Sequence, residues 1–124
     1  MSDSGSLAGL RVLVVEDEAL VAMLVEDYLT DMGCIVVDVA GTFEQGMAYV
    51  QADDLPIDGA VLDVNLGNAK VFPIADALSA RGVRFVFASG YGAAGLEDRY
   101  VGHAVLSKPF KREALEKLLL AAMA

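Results

Sequence analysis

Five apolar runs of strand length punctuate the chain: LRVLVVE (10–16), CIVVDVA (34–40), DGAVLDV (58–64), VRFVFAS (83–89) and HAVLS (103–107). The stretches between them carry helical spacing. Over 18–32, Val21, Val25, Tyr28 and Met32 share one stripe, flanked by Leu24 and Leu29, which predicts an amphipathic helix. Thr42 followed three residues on by Gln45 predicts a capped helix over 42–53. Val71, Ile74, Ala75 and Leu78 predict another over 69–80, with Pro73 near its start. Leu115, Leu118, Leu119 and Ala122 predict the last, over 110–123. Segment 90–101, GYGAAGLEDRYV, is the weak one. Its glycines each cost about 1 kcal/mol against alanine in a helix interior, so a short or mobile helix is expected there.

Strands alternating with helices imply a parallel sheet covered on both faces. The apolar runs are continuous rather than alternating, which agrees, because such strands are buried on both sides. The expected architecture is one doubly wound α/β domain, a five-stranded parallel sheet in the middle of three αβα layers. It spans 9–124, after a short disordered leader over 1–8.

Composition narrows the function. Hydrophobic residues make up 56% of the chain, yet no apolar stretch approaches the roughly 18–20 residues of a membrane span. The start, MSDSGSLAG, has no basic flank before an apolar core and does not read as a signal peptide. Asp and Glu number 18 against nine Lys and Arg, a net charge of −9, which repels the phosphate backbones of nucleic acids. The single cysteine, Cys34, excludes an internal disulfide, fits a reducing cytoplasm and reads as a small core residue.

In open parallel α/β sheets ligands bind at the carboxyl ends of the strands. The first strand closes on Glu16-Asp17-Glu18, the fourth on Ser89 and the fifth on Lys108. The third, within AVLDVNLGN, stops abruptly on Asp63. A parallel sheet gathers all of these on one rim. Clustered carboxylates raise one another's pKa unless a cation sits among them. Mg²⁺ suits such a site, since it takes one or two carboxylates plus waters and a phosphate. Acidic ligands, a free carboxylate, a hydroxyl and a lysine together suit a phosphoryl group attached to an aspartate, with Asp63 as nucleophile.

VLVVEDE, AVLDVNLG, FASG and LSKPF, in this order and spacing, resemble the receiver domains of two-component response regulators over residues 10–122. The resemblance implies a flavodoxin-like strand order, 2-1-3-4-5. It implies that Asp63 accepts a phosphoryl group from the phosphohistidine of a histidine kinase or histidine phosphotransfer protein. Asp17, with Glu16 beside it, would hold Mg²⁺ together with Asp63 and the backbone carbonyl of Asn65. Ser89 would bond one phosphoryl oxygen and Lys108 another, and Lys108-Pro109 matches a bond that is commonly cis in the family.

Two departures bear on the switch. Many receivers carry an aromatic residue three positions before the lysine, where this chain has Val105. FVFASGYG also resembles a receiver subgroup known for a Phe-Ala-Thr-Gly signature, with Ser89 replacing the threonine. That subgroup lacks the aromatic and has a loose fourth helix. The expected switch is therefore Ser89, Gly90 and the glycine-rich segment after them, in place of an aromatic relay at Val105.

The expected function is phosphorelay signal transduction in the cytoplasm, by a phosphoacceptor that catalyses only its own phosphorylation and dephosphorylation. Phosphorylation would change affinity for a downstream protein partner, and a phosphorylation-dependent dimer stays open. Contact with nucleic acid or membrane is not expected. With no output domain after residue 124, the domain acts alone or belongs to a larger protein. Three alternatives stand beside this reading: a phosphatase with an aspartyl-phosphate intermediate, a flavodoxin, and a receiver-like module that binds partners without phosphorylation. The phosphatase would place Asp-x-Asp on the first strand, which VVEDEAL does not, and an acidic first turn repels the phosphate of FMN. Glu18 reads as a first-turn helix residue and Asp17 could equally cap that helix. His103 starts a strand far from the rim, outside the chemistry. Met23, opposite the apolar stripe of its helix, is a candidate for kinase docking, and Leu120 for a partner contact.

Overall fold

The computed structural model describes residues 7–52 and 54–124. Alternation of side chains along each strand divides the interior in two. On strand β1 (Arg11–Val15), Val12 and Val14 point to one face, and Leu13 and Val15 to the other. Strand β6 (Arg84–Ser89) repeats the division, with Val86 and Ala88 opposed to Phe85 and Phe87. Strand β3 (Gly59–Asp63) lies between them and is buried throughout. Strands β2 (Ile35–Ala40) and β7 (Val105–Ser107) form the edges, so the five-stranded sheet runs β2-β1-β3-β6-β7, all parallel. This is the flavodoxin-like order expected, two short strands having entered the count.

Helices α1 (Ala19–Asp31) and α4 (Arg112–Met123) cover one face. Val25, Leu29, Leu115 and Leu119 pack there on Val12, Val14 and Val86. Helices α2 (Phe43–Gln51) and α3 (Phe72–Ala80) cover the other, where Val50, Ile74 and Leu78 meet Leu13, Leu62, Phe85 and Phe87. Thr42 caps α2 as its sequence predicts: Gln45 N donates to Thr42 Oγ1 at 3.1 Å, and Gly41 N donates to Gln45 Oε1 at 2.8 Å.

Three expectations shift. The helix expected over 69–80 begins only at Phe72, because residues 65–70 form a small antiparallel hairpin, β4 (Asn65–Leu66) and β5 (Ala69–Lys70). Gly67 makes its turn with φ +63°, a conformation that side chains disfavour. Segment 90–101 holds no α-helix but two short 3₁₀ turns, Gly92–Gly95 and Asp98–Tyr100. Its glycines supply no side chain with which to bury a helical face. Of the leader expected over 1–8, residues 1–6 lie outside the described residues. Leu7 belongs to the folded chain: it is only 2% exposed, and its carbonyl faces the Cys34 thiol at 3.6 Å. Among the described residues no helix is long and apolar enough to cross a membrane.

Candidate phosphoacceptor site

Parallel strands ending in register bring four charged side chains together at one rim. Asp63 closes β3, Glu16 and Asp17 follow β1, and Lys108 follows β7. One carboxylate oxygen from each of Glu16, Asp17 and Asp63 lies within 4.8 Å of the others. Lys108 Nζ reaches Glu16 Oε1 at 2.9 Å, Asp63 Oδ1 at 3.1 Å and Glu18 Oε1 at 4.0 Å. The other oxygen of Glu16 accepts from Glu18 N at 3.2 Å. Lys108 is held from behind, its own N donating to Ser89 O at 2.9 Å.

One ammonium among three carboxylates leaves the site over-supplied with negative charge. Asp63 is 5% exposed, and its pKa is pushed up to about 8. Burial is the main cause, the neighbouring Glu16 the next, and Lys108 pulls in the opposite direction. Burial also works against the Lys108 ammonium, but its hydrogen bond to Glu16 and the charges of Asp63 and Glu16 outweigh that and raise its pKa. The 3.1 Å contact by itself would favour an ionised Asp63. The upward direction prevails because burial, with the neighbouring Glu16 added to it, outweighs the lysine. Three oxygen donors in excess of positive charge are the donor set of a hard divalent cation.

The remaining predicted residues divide. Asn65 is half-buried and lines the same open cleft, of about 500 Å³, with Asp17, Asp63, Gly90 and Lys108. Ser89 is fully buried and does not line it; its Oγ accepts from Tyr91 N at 3.0 Å. Gly95 lies over this hydroxyl so closely that a Cβ there would sit 2.6 Å from Ser89 Oγ. Val105 is half-buried against the core on the α2–α3 side, away from the cleft. The peptide bond between Lys108 and Pro109 is cis. Glu18 precedes α1 as its N-cap residue, without a side-chain cap. Asp17 does not cap the helix: its Oδ2 accepts from Gly67 N at 3.0 Å. His103 lies outside the rim, stacked on Phe85 at 4.6 Å with Nε2 3.0 Å from Phe85 O.

Sequence reasoning missed the contributions of Gly67, Lys70, Tyr91 and Tyr100. Lys70 Nζ donates to Asn65 Oδ1 across the hairpin. The Gly67-Asn68 pair between short strands is a recognised hairpin signal that could have revealed it. Tyr100 inserts its ring among Phe72 (5.7 Å), Phe87 (5.2 Å) and His103 (5.7 Å), and its hydroxyl donates to Asp76 Oδ1 at 2.6 Å. Arg99 adds an ion pair to Asp76 at 2.8 Å.

The family model of the response regulator receiver domain matches residues 12–120, and the chain belongs to that family. Among solved structures it is similar to SdrG from Sphingomonas melonis Fr1, at 38% identity and a TM-score of 0.80, covering 100% of both chains. The BeF3-activated conformation of SdrG, from Pseudomonas melonis Fr1, is similar at 39% identity and TM-score 0.78, covering 94% of this chain and 98% of that one. The REC domain of the PhyR response regulator from Erythrobacter litoralis shares the fold at 24% identity and TM-score 0.82, with 96% and 93% covered. No curated protein matches the chain.

Proposed function

We propose that the protein carries signals in a phosphorelay by taking a phosphoryl group on Asp63. The observation that carries this reading is the buried Asp63 carboxyl, which lines the cleft 3.1 Å from Lys108 and is grouped with Asp17 and Glu16. In the transfer, an Asp63 oxygen forms a bond to phosphorus while the phosphorus–nitrogen bond of a phosphohistidine breaks. The electron pair stays on the imidazole, which takes up a proton from solvent as the Asp63 carboxyl releases its own. Lys108 moves from carboxylates to a phosphoryl oxygen, a like-for-like exchange of anionic partners. Ser89 Oγ only accepts from Tyr91 N, so its own hydrogen is available to a second phosphoryl oxygen once the turn shifts.

Asp17, Asp63 and the backbone carbonyl of Asn65 would hold Mg²⁺, with Glu16 adding its charge from beneath. The ion would offset the charge that develops on the transferred group. The donor would dock on α1, where Leu20 and Met23 are 81% and 59% exposed. An apolar groove lined by Val21, Leu24, Pro109 and Phe110 runs beside them. The output is a change in the surface formed by residues 90–99, read by a protein partner or by a second copy of the chain.

The test is incubation with acetyl phosphate and Mg²⁺ followed by intact mass. Wild type should gain one phosphoryl group and Asp63→Asn none. Equal incorporation by the variant would refute the assignment.

A further inference from the structure

The hairpin after Asp63 carries a lysine to which the proposed chemistry gives no part. Asn65 and Lys70 face each other across β4 and β5, and Lys70 Nζ donates to Asn65 Oδ1. An ammonium has only donors, so it dictates which end of the amide it meets. The oxygen of Asn65 turns to the lysine, so the NH₂ is the end of the amide that stays unengaged in a residue lining the cleft. The hairpin is tied down at its tip by Gly67 N on Asp17 Oδ2 at 3.0 Å, and at its base by Val71 N on Val64 O at 3.0 Å. With the backbone held in this way, what remains free in Asn65 is its side chain, including an end-over-end turn of its amide.

We propose that Lys70 is a positioning residue: by holding Asn65 Oδ1 it keeps a donor, not an acceptor, turned toward a phosphoryl group on Asp63, and so prolongs the phosphorylated state. The inference rests on the phosphoacceptor reading above. Hydrolysis of the acyl phosphate forms a bond from a water oxygen to phosphorus and breaks the phosphorus–oxygen bond to Asp63. The electron pair returns to the carboxylate, and the water's two protons leave with the phosphate as dihydrogen phosphate. An amide NH₂ cannot accept a hydrogen bond from that water, whereas an amide oxygen can, and an accepted bond aligns the water for attack. Releasing Asn65 from Lys70 lets the oxygen turn inward. Lys70 itself is exposed, so its substitution removes this contact without opening the core.

The experiment loads wild type, Lys70→Met and Lys70→Arg from acetyl phosphate with Mg²⁺, removes the donor, and follows phosphoryl loss by intact mass. Lys70→Met keeps the apolar stem without the donors and should lose its phosphoryl group at least threefold faster. Lys70→Arg should restore a rate near wild type. In an Asn65→Ala background, Lys70→Met should add nothing, a dependence that a merely structural role would not produce. Equal decay in wild type and Lys70→Met, or the same acceleration in the Asn65→Ala background, overturns the role of Lys70 alone. A wild-type protein that takes up no phosphoryl group overturns the phosphoacceptor reading and this inference with it.

Discussion

Replacing Asp63 with asparagine should make the metal-free protein more stable, and the gain should grow with pH. The carboxyl keeps its proton up to about pH 8 in the folded chain, against an ordinary value of 3.8. Between these values the unfolded chain sheds a proton that the folded chain retains. The folded state is therefore penalised by about 1.4 kcal/mol for each pH unit. At pH 5 the penalty is on the order of 1–2 kcal/mol and at pH 7 roughly 4 kcal/mol. Asparagine keeps the shape and never ionises, so it escapes the penalty. It also gives up the 3.1 Å contact with Lys108, although Glu16 retains that lysine at 2.9 Å. The net expectation is a gain of about 2–4 kcal/mol at pH 7, shrinking to about 1 kcal/mol at pH 5. Urea unfolding in EDTA, followed by far-UV circular dichroism because the chain has no tryptophan, measures both. A variant no more stable than wild type at pH 7, or a gain independent of pH, would refute the reasoning. Mg²⁺ should then stabilise wild type far more than the variant, since the ion relieves a repulsion that asparagine has already removed.

Asp17→Ala should abolish Mg²⁺ binding while Lys108→Ala leaves it intact, because loss of a nearby cation does not weaken attraction for a metal. Calorimetric titration distinguishes the two, and unchanged affinity in Asp17→Ala would be decisive against this ligand set. Amides of 90–99 should exchange rapidly in the free protein and become protected with Mg²⁺ and beryllofluoride; equal protection in both states, with the mimic bound, defeats the proposed switch. At the opposite end of the sheet, Arg11 Nε and Nη2 each donate to the Asp58 carboxylate at 2.9 Å, and this pairing holds the Asp58 pKa below its usual value. The stability that Arg11→Ala removes should be constant above about pH 4 and vanish as pH falls through the lowered native pKa, measured by denaturation from pH 2 to 6.

The placement of Glu16, Asp17, Asp63 and Lys108 was legible because strand ends in a parallel sheet share a rim, and apolar runs mark where strands end. The long helices were legible for the related reason that their buried stripes outlast several turns. The β4–β5 hairpin was not: strands of two residues carry no periodicity, and Val71 and Ile74 drew the predicted helix back over it. Ser89 was legible as a strand end but not as a buried hydroxyl already engaged with Tyr91 N, which depends on how the glycines of 92–95 fold over it. Tyr100 escaped notice for a different reason. Its partners, Phe72, Asp76 and Phe87, lie 13 to 28 positions earlier in the chain, and only the assembled fold brings them together.

The anchoring of Tyr100 sets the length of chain that can respond to Asp63. At one end the segment is built into β6 at Ser89, and at the other the tyrosine is locked among aromatic rings and hydrogen-bonded to α3. Like a bridge deck between fixed abutments, the intervening residues 90–99 can buckle or straighten, but cannot carry their displacement past either end. A partner that tells the two states apart must therefore touch this span. What it meets there is the exposed ring of Tyr91, the half-buried Leu96, the small residues between them and the exposed charges of Glu97, Asp98 and Arg99.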